Sequence, residues 1–208
     1  MDKNKLIIKK LLVRDLNYYQ IEKLIRDAFS VIVKKGINAV SANITIDKII
    51  AKQVNETFSM FYDNDIVGIL IYRIQDNICY VDKLAVSTKY QSLGIGKTLV
   101  NELFDECKVL KIKKIWLYTF EYSRNMKFYE SLGFIRCDVT HNPNYYFSII
   151  YSKYFNKNKI RDYFLYFRYS LKNFLYKKII YKTPNKITYI GLILLKLKNF
   201  IKKYVFKK

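Results

Sequence analysis

Three short apolar runs joined by tight polar turns occupy the middle of the chain. The runs are Thr57–Tyr62, Ile66–Ile74 and Ile78–Val86, and the turns fall at residues 63–65 and 75–77. β-Branched and aromatic residues in runs of this length favour strands, and Asp and Asn in the short connections favour tight turns. The pattern predicts an antiparallel meander of three strands.

Apolar residues at helical spacing predict helices on both sides of this meander. Asp15 is the predicted cap of a first helix, Gly36 a helix break, and Thr45–Gln53 a short second helix. The predicted order of elements is β-α-α-β-β-β-α-β-α-β-β. The remaining strands are predicted at Leu6–Val13, Lys114–Thr119, Phe134–Val139 and Tyr145–Tyr151, a helix at Ser123–Leu132, and another with an apolar face formed by Leu99, Val100, Leu103, Phe104, Cys107 and Leu110.

The character of the chain changes after Tyr151. A polar linker is predicted at Tyr154–Lys159, and two stripes of apolar residues at helical spacing follow it. The later stripe, Ile190–Tyr204, comes after Pro184. We therefore divide the chain into a globular domain, residues 1–152, and a basic amphipathic helical tail, residues 153–208. The first stripe of the tail consists of Ile160, Phe164, Phe167, Leu171 and Phe174.

The positive charge of the chain is concentrated in this tail. The net charge is +21, and residues 151–208 contribute sixteen Lys or Arg against one acid, a net of +15. An anionic membrane surface contacted through residues 160–206 is the favoured partner, because the apolar stripes are regular. Nucleic acid is a weaker candidate, and packing on the core or in a homodimer stays open. The lysine-rich usage is also typical of an AT-rich genome.

Cysteine usage and hydropathy indicate a cytoplasmic protein. Cys79, Cys107 and Cys137 form no CxxC pair, and the first ten residues lack the apolar stretch of a signal peptide. The longest uninterrupted apolar run of the tail, Thr188–Leu195, is much shorter than the ~20 residues that span a bilayer. We expect no transmembrane span, and the membrane interpretation places the protein peripherally on the inner membrane face.

A strand followed by a glycine-containing turn and a helix, Leu84–Thr98, is the strongest candidate for a binding site. Loop amides and a helix N-terminus in this arrangement bind anions. A dinucleotide fingerprint is weak because Leu99 stands where its third glycine belongs. A nucleotide P-loop fits Gly96-Lys97-Thr98, but Gln91 replaces its first glycine, and the later strand IWLYT is followed by Phe120 and Glu121 rather than by a magnesium-binding aspartate.

A third pattern, QxxGxG, is filled by Gln91, Gly94 and Gly96, and the segment FYESLGF follows at residues 128–134. Together with the strand end at Leu84–Val86, these motifs resemble the GNAT (GCN5-related N-acetyltransferase) superfamily over approximately residues 6–152. The resemblance implies an α/β (α+β) fold with a mixed, mostly antiparallel central sheet flanked by helices. It also implies an N-acetyltransferase that uses acetyl-CoA and no metal.

The resemblance also implies roles for individual residues. The strand Leu84–Val86 carries a bulge, separates from its neighbour, and presents backbone groups to the pantetheine arm and the thioester carbonyl. Tyr129 is the general acid for the departing thiolate. The loop amides that hold the pyrophosphate belong to Gln91, Ser92, Leu93, Gly94, Ile95, Gly96 and Lys97.

One position departs from the family pattern. Relatives often carry a CoA-contacting asparagine seven residues before the tyrosine, and here that residue is Tyr122. Asn125, one helical turn later, is a candidate to replace it.

The general base is less clearly marked. Period-two alternation places Tyr80, Asp82 and Leu84 on one face of their strand, which makes Asp82 the candidate base. A salt-bridged or solvent-facing Asp82 is an equally good interpretation. Glu130 is expected to be a surface residue, and His141, in a predicted turn at residues 141–144, is not expected to be catalytic.

Two functions are consistent with these residues. The first is direct transfer of an acetyl group from acetyl-CoA to a primary amine of a small molecule, an amino sugar or a protein. The acceptor pocket is then expected near residues 30–43 and 141–144, which carry no recognisable motif. The alternative is a non-catalytic module that retains the CoA fold and docks through its basic tail.

Overall fold

The strands form one seven-stranded sheet in the order β1-β2-β3-β4-β5-β7-β6. The computed structural model describes residues 5–12, 15–34, 56–121, 123–141, 147–156 and 158–176. Within these ranges only β4 and β5 pair in parallel, so the sheet is mixed and mostly antiparallel, as predicted. The strands are β1 Leu6–Leu12, β2 Glu56–Tyr62, β3 Asp65–Gln75, β4 Ile78–Val86, β5 Lys114–Phe120, β6 Ile135–His141 and β7 Phe147–Tyr154; the helices are α1 Tyr18–Val33, α2 Ile95–Val109, α3 Ser123–Ser131 and α4 Lys159–Leu175.

The predicted meander of β2, β3 and β4 is confirmed. Asp63 lies in the first turn, and Asp76 and Asn77 form the second; all three have positive φ. Asp and Asn tolerate this left-handed conformation better than most residues, which explains why they punctuate the apolar runs here. Strand β3 is buried from Ile66 to Tyr72, because helices cover both faces of the sheet at this strand.

Helix α1 covers one face, and α2 and α3 cover the other. Ile21 and Ile25 of α1 are almost completely buried in a cluster with Ile69 and Ile71 of β3. The cap predicted at Asp15 is wrong for this helix. Asn17 immediately precedes α1, and its side-chain oxygen accepts a hydrogen bond from the backbone N–H of Gln20 at 3.2 Å.

Helix α2 approaches β3 closely at Gly68. A Cβ at this position would lie 2.7 Å from a methyl carbon of Ile95 and 3.2 Å from Leu99, so the glycine allows the first turn of α2 to rest on the sheet. The predicted buried face is correct except at Leu110, which is 47% exposed. Leu110 lies just beyond the last helical residue, where the helical spacing no longer fixes its direction.

Helix α4 packs along β6, the outer strand of the sheet. Arg168 Nε donates a hydrogen bond to the carbonyl of Cys137 at 3.1 Å, and Lys172 Nζ lies 2.6 Å from a carboxylate oxygen of Asp138. Arg168 also pairs with Asp138 at 3.0 Å, and Tyr169 is buried. The helix thus covers a strand edge that would otherwise be open to pairing.

The helix predicted from Ile160 onward is confirmed, but its apolar stripe is largely exposed, and only Phe164 and Leu171 are partly buried. Ile160 is 71% exposed, Phe167 48% and Phe174 54%. The face toward β6 is instead the polar and aromatic one, where Tyr169 is buried and Arg168 and Lys172 pair with Asp138.

Several predictions lie outside the described residues. They are the break at Gly36, the helix Thr45–Gln53, Tyr122, the turn residues 142–144, Pro184 and the stripe Ile190–Tyr204. In the ranges that the structure does describe, no helix is both long enough and apolar enough to cross a membrane.

Candidate functional site

Strand β4 carries a bulge at Asp82. Its neighbours Val81 and Lys83 pair with consecutive residues of β3, which makes Asp82 an inserted residue in the ladder. An inserted residue changes which side chains point to which face beyond it. The bulge that the family resemblance implied for this strand is therefore present, four residues before the strand ends at Val86.

The bulge corrects one prediction. Leu84 packs against the cluster beneath α2 and α3, whereas Ala85 is buried in the cluster beneath α1. Asp82 lies on the α1 side, where it meets Arg73. Leu84 therefore does not share a face with Tyr80 and Asp82, because simple alternation across the bulge gives the wrong side.

Strands β4 and β5 separate immediately after this point. Their parallel ladder joins Ile78–Val81 to Lys114–Leu117 and ends there. A cavity of about 130 Å³ lies between the separated strands and is lined by residues from both faces of the sheet. Among the described residues, none of β5 pairs with Leu84–Val86, so no strand covers the backbone of this segment on that side.

The glycine turn connects β4 to α2. Gly94 has φ +89° and precedes the first residue of α2, and Ser92 also has positive φ. Gln91 Nε2 donates a hydrogen bond to the carbonyl of Val86 at 3.0 Å, which ties the turn to the strand end. Loop N–H groups and the positive end of the helix dipole therefore meet at one place, as an anion site requires.

A cavity of about 380 Å³ lies over this turn, and its volume is in the range typical of small-molecule sites. Phe29, Leu84, Asn125 and Phe128 line both this cavity and the smaller one, so the two adjoin. Of the residues predicted to contact acetyl-CoA, Leu93 alone does not line the larger cavity. The others do: Leu84, Ala85, Val86, Gln91, Ser92, Gly94, Ile95, Gly96, Lys97 and Asn125.

Arg124 is a site residue that the sequence analysis missed. From α3 it reaches the turn, where its guanidinium lies 3.2 Å from Gln91 Oε1 and 3.1 Å from Ser92 Oγ. It adds a cation with a fork of donors to the larger cavity. The only signal in the sequence is its position beside Asn125, and nothing there shows that the first turn of α3 faces the glycine turn.

Tyr129 lies behind the smaller cavity, surrounded by aromatic rings. Its ring is 5.1 Å from Phe128, 5.7 Å from Phe134 and 5.7 Å from Tyr151, centroid to centroid. Burial raises the pKa of its hydroxyl well above the ordinary value, so the group carries its proton at neutral pH. Asn125, one turn earlier on α3, donates a hydrogen bond from Nδ2 to Thr119 Oγ1 at 3.2 Å.

Asp82 reaches the same cavity from the opposite face and is ion-paired. Its carboxylate lies 3.3 Å from Arg73 Nε, and only 12% of its side chain is exposed. Tyr118 also lines the cavity, and burial, reinforced by the charge of Asp82, raises the pKa of the Tyr118 hydroxyl. The structure thus brings Asp82 and Tyr129 to one cavity from two sides of the sheet.

Two other ionisable residues have different positions. Glu130 accepts a hydrogen bond from the Tyr151 hydroxyl at 3.1 Å and pairs with Arg136, which fastens α3 to the sheet. The sequence predicts His141 in a turn, but it is the last residue of β6, and its backbone pairs with that of Phe147. The pairing of β6 with β7 therefore extends further than the polar residues around His141 suggested.

Asp27 on α1 is a second residue without a sequence signal. Its carboxylate accepts hydrogen bonds from the Thr88 N–H at 2.8 Å and the Thr88 hydroxyl at 2.7 Å. Burial acts to raise the pKa of Asp27, but hydrogen bonds from Thr88 and Ser87 outweigh it and the pKa is lowered. Asp27 therefore fixes the segment that leads from β4 into the glycine turn.

The comparisons with known proteins agree with this geometry. Residues 19–134 match the model of the Acetyltransferase (GNAT) family. The PaiA N-acetyltransferase from Thermoplasma acidophilum, solved in complex with coenzyme A, is similar at 22% identity, with 74% of this chain and 100% of that chain covered and a TM-score of 0.59. The ribosomal-protein-S18-alanine N-acetyltransferase from Escherichia coli is similar at 18% identity, with 74% of this chain and 96% of that chain covered and a TM-score of 0.58. A GNAT family acetyltransferase from Elizabethkingia anophelis with acetyl-CoA bound is similar at 17% identity, with 73% of this chain and 99% of that chain covered and a TM-score of 0.54.

We predict that replacing Asp27 with Asn removes a pH-dependent part of the stability. Because hydrogen bonds hold the folded-state pKa of Asp27 below the ordinary value of an aspartate, the wild-type contribution is complete above that ordinary value and is lost as the pH falls through it and then through the folded pKa. In urea unfolding, the difference between wild type and Asp27→Asn should be largest at about pH 5 to 7 and should shrink near pH 3.

Asp105→Asn is the matched control, since Asp105 is an exposed carboxylate on α2. Its difference from wild type should stay small throughout. An Asp27→Asn difference that is constant with pH would show that the carboxylate charge is unimportant.

Proposed function

Because the chain belongs to the Acetyltransferase (GNAT) family, we propose that it transfers the acetyl group of acetyl-CoA directly to a primary amine. The observation that carries this proposal is the junction of two cavities at the gap between β4 and β5. The larger one lies over the glycine turn and Arg124, where an anionic group is stabilised. The smaller one holds Tyr129 and Asp82, where proton transfers take place.

The site fits acetyl-CoA as the donor. Two related structures, those from T. acidophilum and E. anophelis, contain coenzyme A and acetyl-CoA respectively. In this chain, the space beside Gly94 is open, with nothing within 4 Å of a Cβ placed there. We propose that residues 91–97 and Arg124 hold the pyrophosphate. We also propose that the backbone of Leu84–Val86, which does not pair with β5, binds the pantetheine arm.

The residues at the gap then have distinct tasks. Asp82, or a water beside it, takes a proton from the acceptor amine, whose nitrogen forms a bond to the thioester carbonyl carbon. Backbone N–H groups of Leu84–Val86 stabilise the negative charge that develops on the carbonyl oxygen. As the carbon–sulfur bond breaks, the Tyr129 hydroxyl gives its proton to the departing thiolate. Burial raises the pKa of Tyr129, so the hydroxyl carries its proton before the reaction begins.

The tail supports a further proposal, contact with an anionic membrane. The outer face of α4 presents Ile160, Tyr163 and Phe167, each about half exposed or more. Residues 177–208 contain ten Lys and no acid. An exposed apolar helix face next to excess positive charge is the combination that binds anionic lipid surfaces. Such contact would place the enzyme on the inner membrane face in the cytoplasm.

Replacing Tyr129 with Phe tests the proton donor. We expect kcat to fall by a factor on the order of 10² or more, because a positioned general acid contributes about 10²–10⁴. The affinity for acetyl-CoA should change by less than about threefold, because the ring packing survives. Steady-state rates with an amine panel and calorimetry with acetyl-CoA measure the two quantities.

Tyr151→Phe is the control for Tyr129. Tyr151 belongs to the same ring cluster, and the substitution removes the same group. In the wild type, however, the Tyr151 hydroxyl donates to Glu130 and does not line the cavity. It should retain most of its kcat. Equal losses of rate and affinity in Tyr129→Phe would assign that residue a packing role instead.

Replacing Arg124 with Ala tests the anion site. The loss of a charged donor at the turn should weaken acetyl-CoA binding by about 10- to 100-fold, since hydrogen bonds to charged groups contribute about 1.5–3 kcal/mol. kcat at saturating acetyl-CoA should change little. Lys127→Ala, an exposed cation on the same helix, is the control for general charge. Binding of wild type and Arg124→Ala within twofold would remove Arg124 from the site, and no binding by wild type at millimolar acetyl-CoA would reject the proposed function.

Vesicle flotation of the full chain tests the tail. The protein should float with vesicles containing anionic lipid and remain below with neutral ones, and Phe167→Glu should reduce flotation several-fold, because it places a carboxylate at the apolar face. Val109→Glu, at a 78% exposed position of α2, is the control. Equal flotation of wild type and Phe167→Glu, or none with anionic vesicles, contradicts membrane contact through α4.

A further inference from the structure

Three aromatic side chains follow one another on β4 and β5. The rings of Tyr80 and Trp116 lie 5.6 Å apart at an interplanar angle of 60°, and those of Trp116 and Tyr118 lie 6.0 Å apart at 61°. We call these three residues the aromatic track. None of them has a role in acetyl-CoA binding or in the proton transfers proposed above.

The aromatic track lies on the α1 side of the sheet. The residues that alternate with it on β5, Ile115 and Leu117, are buried in the cluster beneath α2 and α3, so Trp116 and Tyr118 point the opposite way. Tyr118 is 42% exposed and Trp116 is partly buried. The track is therefore an accessible surface rather than part of the core.

The track ends at the gap between the strands. Tyr118 lines the smaller cavity together with Asp82 and Tyr129. The glycine turn and Arg124, by contrast, approach the gap with α2 and α3. A molecule that lies on the track consequently has one end at the proposed reaction centre and approaches it from the side of the sheet away from Tyr129.

Charges beside the track limit what it binds. Arg73 lies over the Tyr80 ring at 4.3 Å and pairs with Asp82. Lys83 lines the cavity, and Lys114 is on the same strand face as Trp116. With three cations and one carboxylate, this surface repels a polyamine with several positive charges. An acceptor with a single amine is repelled less than a polyamine, and Asp82 at the gap is the carboxylate among these groups.

The ring angles indicate the nature of that body. Angles near 60° give a surface of ring edges and faces rather than one flat platform. A further aromatic ring fits such a surface by edge-to-face contact, the arrangement that aromatic pairs prefer. A sugar ring would stack on an open ring face, and Arg73 occupies that of Tyr80, which leaves less of the track for a sugar.

We propose that the aromatic track binds the ring of an arylalkylamine acceptor and directs its amine into the gap beside Asp82. This inference rests on the proposed acetyl transfer and names its acceptor class. The new carbon–nitrogen bond forms as the thioester carbon–sulfur bond breaks; the amine proton leaves to Asp82 or water, and the thiolate gains the proton of Tyr129.

Trp116 is the only tryptophan in the chain, so its fluorescence reports on the track directly. We would titrate the full chain, saturated with coenzyme A, with phenethylamine, spermidine and glucosamine in turn. Phenethylamine should change the emission of Trp116 saturably, and the other two should not. In acetylation assays, phenethylamine should have a kcat/KM at least about tenfold above the other amines.

Tyr118→Leu separates this subsite from the donor site. It should raise the KM for phenethylamine by about tenfold, with kcat and acetyl-CoA affinity changed by less than about threefold. Tyr19→Leu, at a 74% exposed tyrosine near the start of α1, should match wild type. Thermal unfolding of each variant checks that it is folded.

The outcomes distinguish the two proposals. Binding of acetyl-CoA with preferred acetylation of spermidine or glucosamine overturns the aromatic track and leaves acetyl transfer intact. A phenethylamine KM that is unchanged in Tyr118→Leu, or no fluorescence response, also overturns the track. Failure to bind acetyl-CoA at all overturns the proposed function and this inference with it.

Discussion

The separation of β4 from β5 is the constraint on which the rest of the site depends. Neighbouring strands in a sheet normally satisfy each other's backbone groups, and here the ladder stops at Val81 and Leu117. The bulge at Asp82 lies at that point. Beyond it, none of the described residues of β5 pairs with Leu84–Val86, and the smaller cavity lies between the two strands. The candidate binding site thus coincides with an interruption of regular secondary structure.

The surrounding elements hold this interruption in place. Gly68 lets α2 rest on β3, so the helix N-terminus lies where β4 ends. Asp27 ties α1 to Thr88 and fixes the segment between strand and glycine turn. Glu130 fastens α3 to the sheet through Tyr151. Each face of the sheet therefore contributes one part of the candidate site, with the Tyr129 hydroxyl on the α3 side and the Asp82 carboxylate on the α1 side.

Local patterns in the sequence identify most of this arrangement. The meander and the glycine turn follow from short-range signals such as apolar alternation, Asp and Asn in turns, and glycine spacing, and the family resemblance adds the roles of residues 91–97. Features that depend on how distant segments meet are not predictable in this way. Arg124 contacts Gln91 only because α3 lies beside the glycine turn. The direction of Leu84 depends on one inserted residue, and the outward apolar face of α4 depends on the attraction of Arg168 and Lys172 to Asp138.

A crystal structure of the full chain with acetyl-CoA tests the central claim most directly. The account predicts that the pyrophosphate contacts the amides of residues 91–97 and Arg124. It further predicts that the pantetheine lies along Leu84–Val86 and that the thioester lies in the gap, with Tyr129 Oη within hydrogen-bonding distance of the sulfur. A complex in which β4 and β5 pair beyond Val81, or in which the thioester lies outside the gap, would contradict it.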